Sequence, residues 1–116
     1  MDQSPSPKFN RSDPEKMGAC ASILPLVMDT LQSYHPDAEL SADDIVDFHA
    51  LCIAALLEND THIVTLRDTR MATETVSTYV KRWTKSLRDQ RPSDDAPSFF
   101  AYLLEQDREE RMRAAA

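Results

Sequence analysis

The stretch from residue 41 to residue 69 constrains the fold of this chain more than any other part of the sequence. Ser41, followed three residues later by Asp44, is typical of a helix start, since the hydroxyl caps backbone N–H groups and the helix dipole favours an acid there. Apolar residues then recur at three- and four-residue steps, with no Gly or Pro between them. This pattern predicts one helix about 44 Å long. A small domain cannot cover such a helix, so we expect it to bind a partner.

One segment in this stretch also fits a helix end. Asn59 and Asp60 are poor helix formers, and Thr61 could cap a new helix. Two helices, at about 41–58 and 61–69, are therefore the alternative to one long helix.

Three further helices are predicted around this stretch. The first starts between Ser12 and Glu15, which are spaced as a capping box, and it ends at 34–37. Pro25 within it predicts a kink or a break. The other two span about 73–89 and 97–113. On the 73–89 helix, one apolar face is expected to turn toward the core: Val76, Val80, Trp83 and Leu87.

Composition supports an all-α fold. The chain of 116 residues has a single glycine, and no run alternates apolar and polar residues as a strand does. We predict a disordered tail at 1–12 and one helical domain at 13–116. No segment is apolar enough for a membrane span or a signal peptide. Cys20 and Cys52 are expected to be reduced, which indicates an intracellular protein, nuclear if eukaryotic and otherwise cytoplasmic.

The charge is divided unevenly along the chain. The net charge is −7, yet residues 67–91 hold seven Lys or Arg residues against three acids. This split predicts a basic face on an acidic body, although an ordinary solvated helix face would show the same pattern.

Residues that could support catalysis are sparse. His35, His49 and His62 lack metal-ligand spacing with one another or with the cysteines. One glycine cannot form a phosphate-binding loop. We therefore expect no enzyme activity, no catalytic or metal site and no cofactor.

Residues 66–80 resemble the second half of a helix-turn-helix motif, in which a Thr-Val-Ser run opens the recognition helix. This resemblance implies a four- or five-helix bundle with base contacts from Thr73, Glu74 and Thr78. It implies a DNA-binding regulator of a bacterium, phage or plasmid.

A larger part of the chain resembles the histone fold, with its short, long and short helices. The counterparts are about 17–34, 41–69 and 73–90, and the helix at 97–113 matches a common C-terminal extension. In that family the first loop often ends with an apolar residue and a capping Ser, as Leu40-Ser41 does here. The second loop often leads to a Thr followed by Val or Ile, as at Thr75-Val76. The acidic composition is similar to the non-nucleosomal members. The resemblance implies a subunit of a chromatin or transcription-type complex.

These observations favour a non-enzymatic subunit that forms a homo- or heterodimer through its long helix. Its basic residues have two alternative partners, which are DNA and the acids of a protein partner or of the same chain. A small helical adaptor or inhibitor that binds another protein is a further alternative. The expected partner-binding residues are Ile45, Phe48, Leu51, Leu56, Ile63 and Leu66. The expected nucleic-acid-binding residues are Arg67, Arg70, Lys81, Arg82 and Lys85.

Overall fold

A computed structural model describes residues 12–115, which form four α-helices joined by loops. The helices are α1 (Asp13–Ser33), α2 (Ala42–Asn59), α3 (Leu66–Asp89) and α4 (Phe99–Ala115). None of the described residues lies in a strand. The all-α prediction is therefore confirmed. The tail predicted at 1–12 lies outside the described residues, except for Ser12.

Side-chain caps fix where the first two helices begin, as the sequence predicted. Ser12 forms a reciprocal capping box with Glu15 at the start of α1. At the start of α2 the backbone N–H of Asp44 donates to Ser41 Oγ at 3.1 Å. Each cap satisfies an N–H group that the helix itself leaves without a partner.

The prediction of one long helix over 41–69 is wrong, because the chain leaves the helix at Asp60 and re-enters it at Leu66. Asp60 Oδ1 accepts the backbone N–H of His62 at 2.9 Å, which forms a turn in place of the next helical hydrogen bond. Thr65, and not Thr61, caps the next helix. The alternative of two helices is correct for 41–58, but the second helix starts later than expected.

The following helix is longer than predicted, and it contradicts the helix-turn-helix interpretation. The motif needs a turn before the Thr-Val-Ser run, at residues 70–72. α3 runs without interruption from Leu66 to Asp89, so these residues lie inside a helix and cannot form that turn. Arg70, Met71 and Ala72 are all good helix formers, and no Gly or Pro is present to end the helix there.

The helix lengths also differ from the short-long-short order expected from the histone fold. The four helices have 21, 18, 24 and 17 residues. Thr75 and Val76, expected just after a loop, lie inside α3. α1 continues through Pro25, so the predicted break in that helix is absent.

The core is small and lies between the first and last helices. Leu103 of α4 is only 1% exposed, and Pro25 of α1 is also buried. An ion pair between Arg111 and Asp29 joins the same two helices. By contrast, α2 and α3 contain no buried residue. The radius of gyration is 17.9 Å, against about 13 Å for a compact domain of this length. The described fold therefore leaves much of the apolar surface of α2 and α3 exposed.

Candidate protein-binding groove

An open apolar groove of about 910 Å³ lies where α1, α2 and α3 approach one another. Apart from Lys16, Cys20 and His49, every described side chain that lines it is apolar. The apolar lining residues are Ala19, Ile23, Leu24, Ala42, Ile45, Val46, Ala50, Ile53, Val76, Val80 and Phe100.

The amphipathic pattern of each helix builds this groove. On α2 the lining residues begin at Ala42 and recur at three- and four-residue steps as far as Ile53. On α3, Val76 and Val80 are four residues apart and so share one face. Such stripes normally pack against a neighbouring helix. Here Val46 is 67% exposed, and Ile23 and Val80 are also exposed.

His49 and Cys20 contribute the imidazole and the thiol of the groove lining. His49 Nδ1 lies 2.7 Å from the carbonyl oxygen of Ile45. Because a carbonyl only accepts, that nitrogen must carry the proton. The His49 ring also meets Phe48 edge to face, with centroids 5.5 Å apart. At Cys20 the apolar surroundings raise the pKa of the thiol, which makes it a poorer nucleophile.

The residues predicted to bind a partner do not form one surface. Ile45 lines the groove. Phe48 instead lines a separate pocket of about 380 Å³, which includes Leu31 and Leu40. Leu51 is 65% exposed. It follows Ile45 by six residues and therefore lies about 120° away around α2.

The other three predicted partner-binding residues lie toward and beyond the C-terminal end of α2. Leu56 is 73% exposed near that end, and Leu66 is 86% exposed at the start of α3. Ile63 is partly buried in the connecting loop. The prediction placed all of them on one helix, and the turn at Asp60 breaks that alignment.

Sequence reasoning missed the part of the groove that α1, α3 and α4 provide. Ile23 was not singled out, and Val76 and Val80 were expected to face a closed core. The four-residue spacing on α3 was a usable signal. No sequence signal indicated that α1 and α3 would stay far enough apart to leave the space open.

The positive charge of α3 is concentrated on one side of the helix. At 100° per residue, four exposed bases fall within an arc of about 60° and along about 32 Å of helix. None of the four has an ion-pair partner within residues 12–115. They are Arg67, Arg70, Lys81 and Arg88.

Two of the predicted DNA-binding bases are already paired within the chain. Arg82 lies 3.4 Å from Asp13 of α1. Its guanidinium also sits 5.0 Å from the centre of the Trp83 ring. Lys85 lies 2.6 Å from Asp89, and that hydrogen bond raises the pKa of the lysine. The structure thus divides the predicted set into two paired bases and three unpaired ones, which are Arg67, Arg70 and Lys81.

Acidic side chains form a corresponding row on α2. Asp43, Asp47 and Glu58 are exposed, and none has an ion-pair partner in the part of the chain that the structure describes. They fall within about 60° of one another around the helix. α2 therefore has an apolar face toward the groove and a separate acidic face.

Comparisons with family models, curated proteins and solved structures found no match to this chain. Among residues 12–115, no helix has the length and apolar character needed to cross a membrane. Within the same residues, no group of three or more His, Cys, Asp or Glu side chains could hold a metal ion.

Proposed function

We propose that this chain is a non-enzymatic assembly subunit whose groove between α1, α2 and α3 binds another protein chain. The observation that carries this proposal is the apolar groove of about 910 Å³, lined by a helix without a single buried residue. Large exposed apolar surfaces on soluble proteins mark interaction sites.

The stability of α2 gives a physical reason for a partner. Helices of 12–15 residues or fewer are marginal in water, and longer ones still depend mainly on packing of their apolar face. α2 has 18 residues and buries none of them in the chain itself. Covering a Val, Leu or Ile side chain contributes about 1.5–3 kcal/mol. A bound chain that covers Val46 and Ile53 would therefore stabilise α2 substantially.

A helix from the partner is the form of ligand that fits the groove. Amphipathic helices bind such grooves through apolar side chains spaced three, four and seven residues apart. The groove supplies a lining of aliphatic residues and almost no hydrogen-bonding groups. Shape and apolar contact would therefore dominate the binding free energy.

The mass and unfolding of the purified chain test this proposal. We expect a dimer, or a monomer that binds a hydrophobic dye until a partner is added. Val46→Asp and Ile53→Asp should abolish the dimer, because a carboxylate in the groove loses its hydration. Leu51→Asp is the matched control, since Leu51 lies on the same helix but outside the groove. A stable monomer that binds no dye would overturn the proposal.

Contact with DNA is a second candidate function, and the unpaired bases of α3 favour it. Arg67, Arg70, Lys81 and Arg88 could contact backbone phosphates without reading the base sequence. Titration against random duplex at two salt concentrations tests this function. Binding should weaken with a log–log slope of about −0.9 per neutralised phosphate. Absence of binding at low salt, with the partner present, would remove the DNA function.

A further inference from the structure

We propose that a second pocket, next to the groove, binds a small apolar molecule with one carboxylate head. The pocket has a volume of about 270 Å³ and lies where α1, α3 and the first residue of α4 meet. We call it the Trp83 pocket. Its lining residues are Lys16, Met17, Cys20, Trp83, Leu87 and Phe99. The inference goes beyond the proposed function, because only Lys16 and Cys20 also line the groove.

The pocket is apolar because one face of each helix turns toward it. Trp83 and Leu87 are four residues apart on α3, so they share one face of that helix. Met17 and Cys20 are three residues apart on α1 and share a face in the same way. All of these except Cys20 are partly buried, as is Phe99. Two aromatic rings and an adaptable thioether form a wall that suits a flexible alkyl chain.

Lys16 gives the pocket its one charge. A lysine on an apolar wall lays its stem along that wall and keeps its ammonium in water at the mouth. Lys16 has no ion pair within residues 12–115. Asp13, three residues earlier, pairs instead with Arg82. The carboxylate of Glu15 accepts the hydroxyl of Ser12 in the capping box. The ammonium of Lys16 is therefore available to a ligand.

The charge around the pocket has the opposite sign to that of the whole chain, which has 20 acids against 13 bases. Two spaces adjoin the pocket. One is the groove, and the other is a cleft of about 300 Å³ at the C-terminal end of α3, which shares Phe99 with the pocket. No acid is among the described residues that line these three spaces, and their Lys and Arg residues are Lys16 and Arg91. The lining therefore favours an anion over a cation.

Size and charge together define the class of ligand. Ligand pockets commonly measure about 300–1,000 Å³ and use a few polar groups to orient a mostly apolar molecule. The Trp83 pocket is slightly smaller than this range, so it suits a short or medium alkyl chain. A carboxylate on that chain would meet Lys16 at the mouth. An alcohol would leave the ammonium without a counter-ion, and an alkylamine would place a like charge beside it.

The full chain carries two reporters of this pocket. Trp83 is the single tryptophan, so its fluorescence responds to an occupied pocket. Cys20 lines the pocket and Cys52 does not, so shielding of Cys20 alone from iodoacetamide is a second readout with an internal control. The probes are decanoate, decanol and decylamine, which share one alkyl chain and differ in the charge of the head. Each is titrated below its micelle concentration, at one low concentration of the chain.

Five variants test the roles of charge and space. Lys16→Gln removes the charge and Lys16→Glu reverses it, and an acid near the start of a helix does not destabilise it. Arg91→Gln is the matched control, because it removes a base from the adjoining cleft only. Cys20→Phe fills the pocket, and Cys52→Phe is the same change at an exposed site outside it. Circular dichroism checks that each variant keeps its helix content.

We expect decanoate to bind about threefold more tightly than decanol, which is the scale of one exposed ion pair, and to bind more tightly still than decylamine. Lys16→Gln should remove this preference, and Lys16→Glu should reverse it in favour of decylamine. Cys20→Phe should abolish the binding of all three probes. Saturating decanoate should slow the alkylation of Cys20 and leave that of Cys52 unchanged. Both controls should behave as the original chain does.

Other results would overturn the proposal, and they separate it from the proposed function. Absence of binding, or equal binding of decanoate and decanol, would reject the carboxylate ligand, even in a chain that dimerises. Loss of the preference in Arg91→Gln but not in Lys16→Gln would reject the assigned head-group site. Equal shielding of Cys20 and Cys52 would indicate detergent action. Loss of decanoate binding in folded Val46→Asp would place the ligand in the groove, whereas unchanged binding beside a lost dimer would support both proposals.

Discussion

The guanidinium of Arg82 lies 3.4 Å from the carboxylate of Asp13, which joins the third helix to the first turn of the first helix. The two residues are 69 positions apart in the chain. Asp13 is also placed where the dipole of α1 favours a negative charge. This pair removes Arg82 from the bases that are free to meet another molecule.

The first prediction concerns this ion pair. Both side chains are about half exposed, and exposed pairs contribute only about 0.2–1 kcal/mol. Arg82→Gln should therefore lower the free energy of unfolding by no more than this amount, measured by urea denaturation. Arg88→Gln is the control, because Arg88 has no ion pair within residues 12–115. A loss above 2 kcal/mol would contradict the expected weak coupling.

The second prediction concerns the small core between α1 and α4. Leu103 is the large apolar side chain that these helices bury most completely, at 1% exposed. Leu103→Ala should cost about 2–5 kcal/mol in the free energy of unfolding, through lost burial and the cavity left behind. Leu51→Ala, the same change at an exposed site, should stay within about 0.5 kcal/mol. Equal effects of the two substitutions would show that the core is not at Leu103.

The third prediction is a pH dependence at the start of α3. The Asp68 carboxylate accepts the backbone N–H groups of Val64 and Thr65, each at 3.2 Å. These bonds, with the Thr65 hydroxyl, hold the pKa of Asp68 below its ordinary value. A lowered folded-state pKa means that the stabilisation is complete above the unfolded-state pKa, about 3.9, and is lost as pH falls through the folded-state value.

The measurement is helix content as the pH is lowered from about 6 to about 2.5, which passes through the unfolded-state pKa of an Asp. Asp68→Asn should remove part of the acid-induced loss and lower stability at pH 6. Thr65→Ala should cost about 1 kcal/mol at pH 6, the usual effect of removing an N-cap. An unchanged acid profile in Asp68→Asn would show that the cap does not control this end of the helix.

Local signals in the sequence predicted the helices well where a cap and an apolar stripe coincided. Ser12 with Glu15, and Ser41 with Asp44, marked the starts of α1 and α2 correctly. The start of α3 was missed because Thr65 lies between apolar residues. Their helical spacing was interpreted as the continuation of one helix, and Thr65 was not recognised as an N-cap. Its partner Asp68 completes a capping box that the sequence does contain.

The groove could be predicted only in part, because its shape depends on contacts between distant residues. The excess apolar surface of α2 was evident from Ile45, Val46 and Ile53. The direction of α3 was not, since the turn at Asp60 decides it. Long-range contacts such as that between Arg82 and Asp13 leave no periodic signal in the sequence. Hence the sequence predicted the apolar helix and its neighbours, but not how α1 and α3 are arranged around the groove.

The last prediction uses the two cysteines to report whether the groove is covered. Cys20 lines the groove, and its apolar surroundings raise the pKa of the thiol. Cys52 is an exposed residue of α2 that does not line the groove. Alkylation requires the thiolate, so Cys20 should react severalfold more slowly with iodoacetamide near pH 8. The two rates can be measured in the same sample by mass spectrometry of the peptides.

Raising the chain concentration should then slow Cys20 further and leave Cys52 unchanged, because a partner in the groove covers only the first thiol. The variant Val46→Asp should abolish this concentration effect, since it prevents the groove from being covered. Equal slowing of both thiols would indicate general aggregation instead of binding in the groove. If Cys20 reacts at the same rate at every concentration in a sample that sedimentation shows to be dimeric, the interface must lie elsewhere on the chain.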